Sequence, residues 1–177
     1  MLNMKKILLL VPVLAFLLLL CTGCPPANYG PSTGNDTTKV DSVNPPHDYV
    51  NAVITLQRTV CFGRCPDYSL QIDGKGKVMY QGNQFVAVKG AQTSQIDAKA
   101  VAALVDEFFK IDYFALQDTF TEPITDLPST ITSLSIDGKK KEVYDYAGAP
   151  ESVKALEAKI DEVANSAQWV EEVKSEK

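Results

Sequence analysis

Ser69–Tyr80 reads SLQIDGKGKVMY, and Ser133–Tyr144 reads SLSIDGKKKEVY. In each, apolar and polar residues alternate up to an Asp-Gly pair and alternate again beyond it. That is the pattern of two antiparallel strands joined by a turn. Leu70 and Ile72 lead into Asp73-Gly74, with Val78 and Tyr80 on the return. Leu134 and Ile136 lead into Asp137-Gly138, with Val143 to Tyr146 on the return. Eight of the twelve positions coincide, and a helix-patterned segment follows each stretch. Two accounts fit: a duplicated hairpin–helix unit, or turn chemistry and alternation that by themselves dictate most positions. The second is the simpler.

Working outward, Ala52, Ile54 and Leu56 alternate with polar or smaller residues and read as a strand, and residues 84–89 read as a further one. Ile96 to Ile111 has helical spacing, with Val101, Leu104, Val105 and Phe108 on one face and Ser94 or Asp97 as its cap. Leu116 to Pro128 is a loop rich in Thr, Pro and Asp. Gly148-Ala149-Pro150 opens a second helix with Pro150 in its first turn. Val153, Leu156, Ile160 and Val163 line its apolar face, and Trp169 closes it. The expected fold is α+β, an antiparallel sheet of about five or six strands with two helices packed on one face. Residues 50–170 form this single domain, and 171–177 are a charged tail.

The N-terminus reads as an address. Lys5 and Lys6 precede an apolar run from Ile7 to Leu20, too short to span a bilayer comfortably and suited to a signal peptide. The run ends Cys21-Thr22-Gly23-Cys24, which resembles a bacterial lipobox except that Cys21 stands where Leu is commonest. The resemblance implies cleavage after residue 23, lipidation of Cys24 and attachment to a membrane of the cell envelope. Pro25 follows, not the Asp that retains such proteins in the inner membrane, so the resemblance favours the outer membrane. Residues 24–49 hold five of the ten prolines among small polar residues and read as a flexible tether.

Removing residues 1–23 takes two of the 17 basic residues and none of the 22 acidic ones, so the net charge moves from −5 to −7. Such a chain has no electrostatic footprint for nucleic acid. It is drawn to an anionic lipid surface only through acyl chains.

With Cys21 lost and Cys24 lipidated, Cys61 and Cys65 remain in Cys61-Phe62-Gly63-Arg64-Cys65-Pro66-Asp67-Tyr68. Three readings of this loop stay open. A structural disulfide needs the chain to turn between cysteines four apart, and Gly63 permits that turn through positive φ. A thiol-redox or copper site is the second reading, because C-x-x-x-C-P resembles the copper loop of the synthesis-of-cytochrome-oxidase chaperones and Arg64 could lower a thiolate pKa. That site needs a distant histidine, and His47, in the tether, is the only one. Two buried thiols are the third reading.

Several residues together are similar to a bacterial domain-of-unknown-function family, number 6438. They are Leu56 to Arg58, the C-F-G-x-C-P-x-Y core, Asp73-Gly74, Tyr80, Gly82, Tyr113-Phe114, Thr125-Asp126, Thr130 to Thr132, Asp145 to Pro150 and Trp169. The resemblance implies a compact domain often found behind lipoprotein or secretory signals, and it carries over no catalytic residue. Arg58, Arg64, Asp126 and Asp145 are the candidates for a functional loop, Asp126 foremost because long irregular loops are often functional. Lys139-Lys140-Lys141 reads as a solvated hairpin edge. The chain shows no G-x-S-x-G elbow, P-loop or G-x-G-x-x-G cradle, and no cofactor or metal is expected. The function expected is that of an envelope lipoprotein whose domain binds a protein or small ligand, or is structural, without catalysis. The alternative is thiol-redox or copper handling.

Overall fold

The structure is a computed structural model that describes residues 46–171. Its elements are β1 (Val53–Arg58), β2 (Asp67–Asp73), β3 (Lys77–Gln84), β4 (Gly90–Gln95), α1 (Ala98–Lys110), β5 (Thr119–Phe120), β6 (Thr130–Ile136), β7 (Lys139–Asp145), α2 (Glu151–Ala164) and α3 (Ala167–Val170). Single 3-10 turns lie at Tyr49–Asn51 and Tyr113–Ala115. The class is α+β. Seven strands form one sheet in the order β4-β3-β2-β1-β6-β7-β5, antiparallel throughout except for the β5–β7 pair. The expected signal peptide, the expected lipidation site Cys24 and most of the expected tether lie outside the described residues, as do residues 172–177.

Alternation decides which face is covered. Ile54, Leu56, Leu70, Ile72, Val78, Tyr80, Leu134 and Ile136 are buried in one core with Val101, Leu104, Val105 and Phe108 of α1 and Val153, Leu156 and Ile160 of α2. The opposite face carries Thr55, Gln57, Gln71 and Gln81, polar side chains of the kind a solvent-facing sheet surface bears. Asp97 caps α1 by accepting from the Lys99 N–H at 2.8 Å, while Ser94 belongs to β4. Pro150 stands at the N-cap of α2, one residue before its first turn.

The two Asp-Gly turns differ. Asp137 (φ 52°) and Gly138 (φ 71°) are both left-handed and close a two-residue hairpin. After β2, Asp73 instead folds its carboxylate back onto the N–H groups of Lys75 and Lys77, and Gly76 (φ 88°) takes the left-handed position. The extra glycine of Gly74-Lys75-Gly76 makes this longer turn accessible.

Two expectations are corrected. Residues 84–89 are not a separate strand, because β3 runs to Gln84 and Phe85 (φ 54°) then bends the chain. Ala87 and Val88 donate to Val170 O and Trp169 O, and the outer strand is Gly90–Gln95. The Leu116–Pro128 loop is interrupted by β5, which pairs parallel with Tyr144 and Asp145 of β7. Trp169 lies on the short α3 beyond the αL cap Asn165 and stacks on Tyr80 at 4.9 Å.

Candidate functional site

β1 leaves the sheet at Arg58, and the chain arrives at β6 through Ser129. The two departing segments stay paired. Thr59 N–H donates to Ser129 O (3.0 Å), Ser129 N–H to Thr59 Oγ1 (2.8 Å), and Phe62 N–H to Asp126 O (3.3 Å). The loop 59–66 and the loop 121–129 therefore form one tip at this end of the sheet. Cys61 and Cys65 lie at disulfide distance across the first loop, with their Cα atoms 5.6 Å apart. Gly63 is not left-handed. The turn is closed by the Gly63 N–H on Cys61 O at 2.8 Å, and a side chain at position 63 would meet only Cys61 Sγ, at 3.6 Å. The expected role of Gly63 through positive φ is thus corrected.

The tip is apolar where water would be expected to select polar residues. Phe62 is 88% exposed, and Val60, Ile124 and Leu127 are exposed with it. Every residue from Thr121 to Pro128 is exposed. Asp126 has a left-handed backbone (φ 70°), and among the described residues its carboxylate accepts only from the neighbouring Thr125 hydroxyl. Arg64 is exposed and lies over the Phe85 ring, 5.8 Å from its centroid.

Beneath the tip, pairing lines up Tyr68, Arg58, Thr130 and Asp145 in one row across β2, β1, β6 and β7. α2 lays two carboxylates over this row. Asp161 Oδ2 accepts from Arg58 Nε (2.9 Å) and lies 2.8 Å from its Nη2 in an ion pair, and its Oδ1 accepts from the Tyr68 hydroxyl (2.8 Å) and the Ser166 hydroxyl (2.6 Å). Arg58 Nη1 also reaches Thr130 Oγ1 at 3.2 Å. Burial and the adjacent Asp161 push the Tyr68 phenol well above its ordinary range. Glu157 is buried, and its carboxyl is raised to about 7, by burial first and by the charge of Asp145 second. Asp145 Oδ1 is buried with no hydrogen-bond partner among the described residues. A depression of about 370 Å³ beside the row is bordered by Tyr68, Asp161, Asn165 and Ser166.

Of the four expected loop residues, Arg58 and Asp145 lie in this row with Thr130 between them, whereas Arg64 and Asp126 sit on the exposed tip, apart from it. Tyr68 is legible only as the end of the cysteine motif, and Glu157, Asp161 and Ser166 are not among the residues the sequence marks. The legible signal was Glu157 and Asp161, spaced i, i+4 on a helix whose neighbours Leu156 and Ile160 face the core. His47 lies elsewhere. Its ring stacks on Phe109 at 3.7 Å and bonds Asp137 at 2.7 Å, in the turn after β6. Asp137 and Arg58 mark opposite ends of the β1–β6 pair, so His47 and the cysteine loop are roughly 20 Å apart along the strands. No group of three or more His, Cys, Asp or Glu suited to a metal ion occurs among the described residues.

A family model for a domain of unknown function, DUF6438, matches residues 52–164, more than half of the chain. The chain belongs to the DUF6438 family. The matched span runs from the start of β1 to the end of α2, so the tip and the polar row both lie within the DUF6438 domain. No curated protein matches the chain.

Proposed function

We propose that this protein is a lipid-anchored lipoprotein of the bacterial envelope, placed in the outer membrane, whose DUF6438 domain is a non-enzymatic binding module. The observation that carries the binding role is Phe62, 88% exposed on a loop closed by Cys61 and Cys65 and flanked by Val60, Ile124 and Leu127. A soluble domain gains nothing by exposing a large ring on a braced loop unless something covers it. A protein partner fits best, because an aromatic anchor held in a fixed shape loses little entropy on docking. The segment leading from the anchor enters the domain at Tyr49–Asn51, near Asp137, so the tip faces away from that entry.

A photocrosslinking residue at position 62 of the full chain, expressed in the envelope, tests the docking. A discrete crosslinked partner that is lost when the probe moves to Glu151 is expected. Equal products from both sites would sink the reading. The anchor is tested separately. Radiolabelled palmitate should enter the native chain and not Cys24→Ala.

The competing reading is thiol-redox or copper handling at Cys61 and Cys65. The exposure of Phe62, Gly63 and Arg64 between the two cysteines favours it, since a thiol reagent can reach the loop. Reduction of the pair by millimolar glutathione, or sub-micromolar Cu(I) binding, would support that role. A pair that resists both leaves a structural brace.

A further inference from the structure

The two edges of the sheet are finished differently. At one edge β5 covers Tyr144 and Asp145, and the rest of β7 begins with Lys139, Lys140 and Lys141. A short covering strand and a lysine run are protections against edge-to-edge pairing. At the other edge β4 reads Gly90-Ala91-Gln92-Thr93-Ser94-Gln95, with no charge and no proline, and it pairs with β3 without a register shift. Ile96 donates its N–H to Gly76 O at 2.9 Å. Backbone groups alternate in direction along a strand, so Gly90, Gln92 and Ser94 turn theirs toward β3, and Ala91, Thr93 and Gln95 turn theirs outward.

We infer that β4 is a self-association edge: it pairs antiparallel with β4 of a second copy of this chain, about a two-fold axis at Thr93. In that register Thr93 meets Thr93 and Ala91 meets Gln95, all with outward backbone groups. The charged residues that flank β4, Lys89 and Asp97, then fall opposite each other at both ends. Both are exposed, and neither has an ion-pair partner among the described residues. Moving the axis one residue to Gln92 sets Lys89 against Gln95. Moving it to Ser94 sets Lys89 against Lys99. Charge complementarity therefore selects the Thr93 axis.

The buried side of the strand agrees. Gln92 and Ser94 pair with Tyr80 and Val78 of β3, so both side chains lie on the helix-covered face. Ser94 Oγ is buried and has no hydrogen-bond partner among the described residues. In the Thr93 register, Ser94 of each copy stands opposite Gln92 of the other, whose amide supplies the missing partner. A two-fold contact of this kind closes on itself and uses up both free edges.

Thr93→Cys in the full chain, expressed in the envelope, tests the pairing. Opposed residues of a hydrogen-bonded antiparallel pair have Cα atoms about 5.5 Å apart, within reach of a disulfide. Under mild oxidation Thr93→Cys is expected to run at twice the monomer mass without reductant, and Ala91→Cys at the monomer mass. Adding Lys89→Glu to Thr93→Cys should lower the dimer yield about fivefold, because two attractions become repulsions. The inference is overturned if Thr93→Cys stays monomeric, if Ala91→Cys dimerises equally, if Lys89→Glu leaves the yield unchanged, or if Thr93→Cys is captured by a different protein.

Discussion

At the scale of the residue, Asp161 does the most. One carboxylate on α2 accepts from Arg58 on β1, Tyr68 on β2 and Ser166 beyond the helix cap. Truncating it leaves a partly buried guanidinium and phenol without their acceptor. Asp161→Ala should cost about 2–4 kcal/mol in a urea titration. A loss below half a kcal/mol would show that water replaces the carboxylate freely. The cysteine pair acts on a shorter range. Replacing Cys61 and Cys65 together by Ser should cost about 2 kcal/mol, the loop-closure value for so short a ring, and leave the circular dichroism spectrum unchanged. The fold survives because β1 and β2 are held by their own six-pair register.

Elements show how far local pattern reaches. β1, the β2–β3 hairpin, α1, the β6–β7 hairpin and α2 were legible because burial of one face imposes a period on the residues, and Val101, Leu104, Val105 and Phe108 are buried as their spacing requires. The outer strand, Gly90–Gln95, lies six residues beyond the stretch whose composition suggests it. Gln84 to Lys89 looks extended by composition, and what bends it is distant: the carbonyls of Trp169 and Val170 on α3, which take the N–H groups of Val88 and Ala87. β5 was illegible for a related reason, since two residues gain a strand only from the backbone of β7 beside them. The polar row escaped reading because Asp161 and Arg58 are 103 residues apart and meet only across the fold. β3 carries its own test. A methyl group at Gly82 would fall on Val88 O and on the Tyr80 hydroxyl, which are bonded to each other at 3.0 Å. Gly82→Ala should therefore cost about 1–3 kcal/mol and lower the melting temperature, and a neutral result would mean that the 85–89 bend yields easily.

For the molecule as a whole, Glu157 ties stability to pH. Its carboxyl stands near 7 in the folded protein against an ordinary 4.5, so the folded state holds this proton more tightly than the unfolded chain. The contribution is complete below about pH 4.5 and is lost as pH rises through 7, an effect on the order of 3 kcal/mol. Urea midpoints should fall from pH 5 to pH 8 in the native protein and stay nearly level in Glu157→Gln. Equal slopes in the two would remove Glu157 as the cause. The entry of the chain has a different consequence. Pro46 to Asn51 is pinned at the Asp137 end by His47 on Phe109, by Asp48 N–H on the Asp137 carboxylate and by the Tyr49 hydroxyl on Asp106, and it then runs directly into β1, the strand between β2 and β6. Tension arriving from the N-terminal side while the tip is held would act along the axis of β1. Its two ladders would be sheared together and not peeled one bond at a time, so the central strand serves as the tie-bar of the domain.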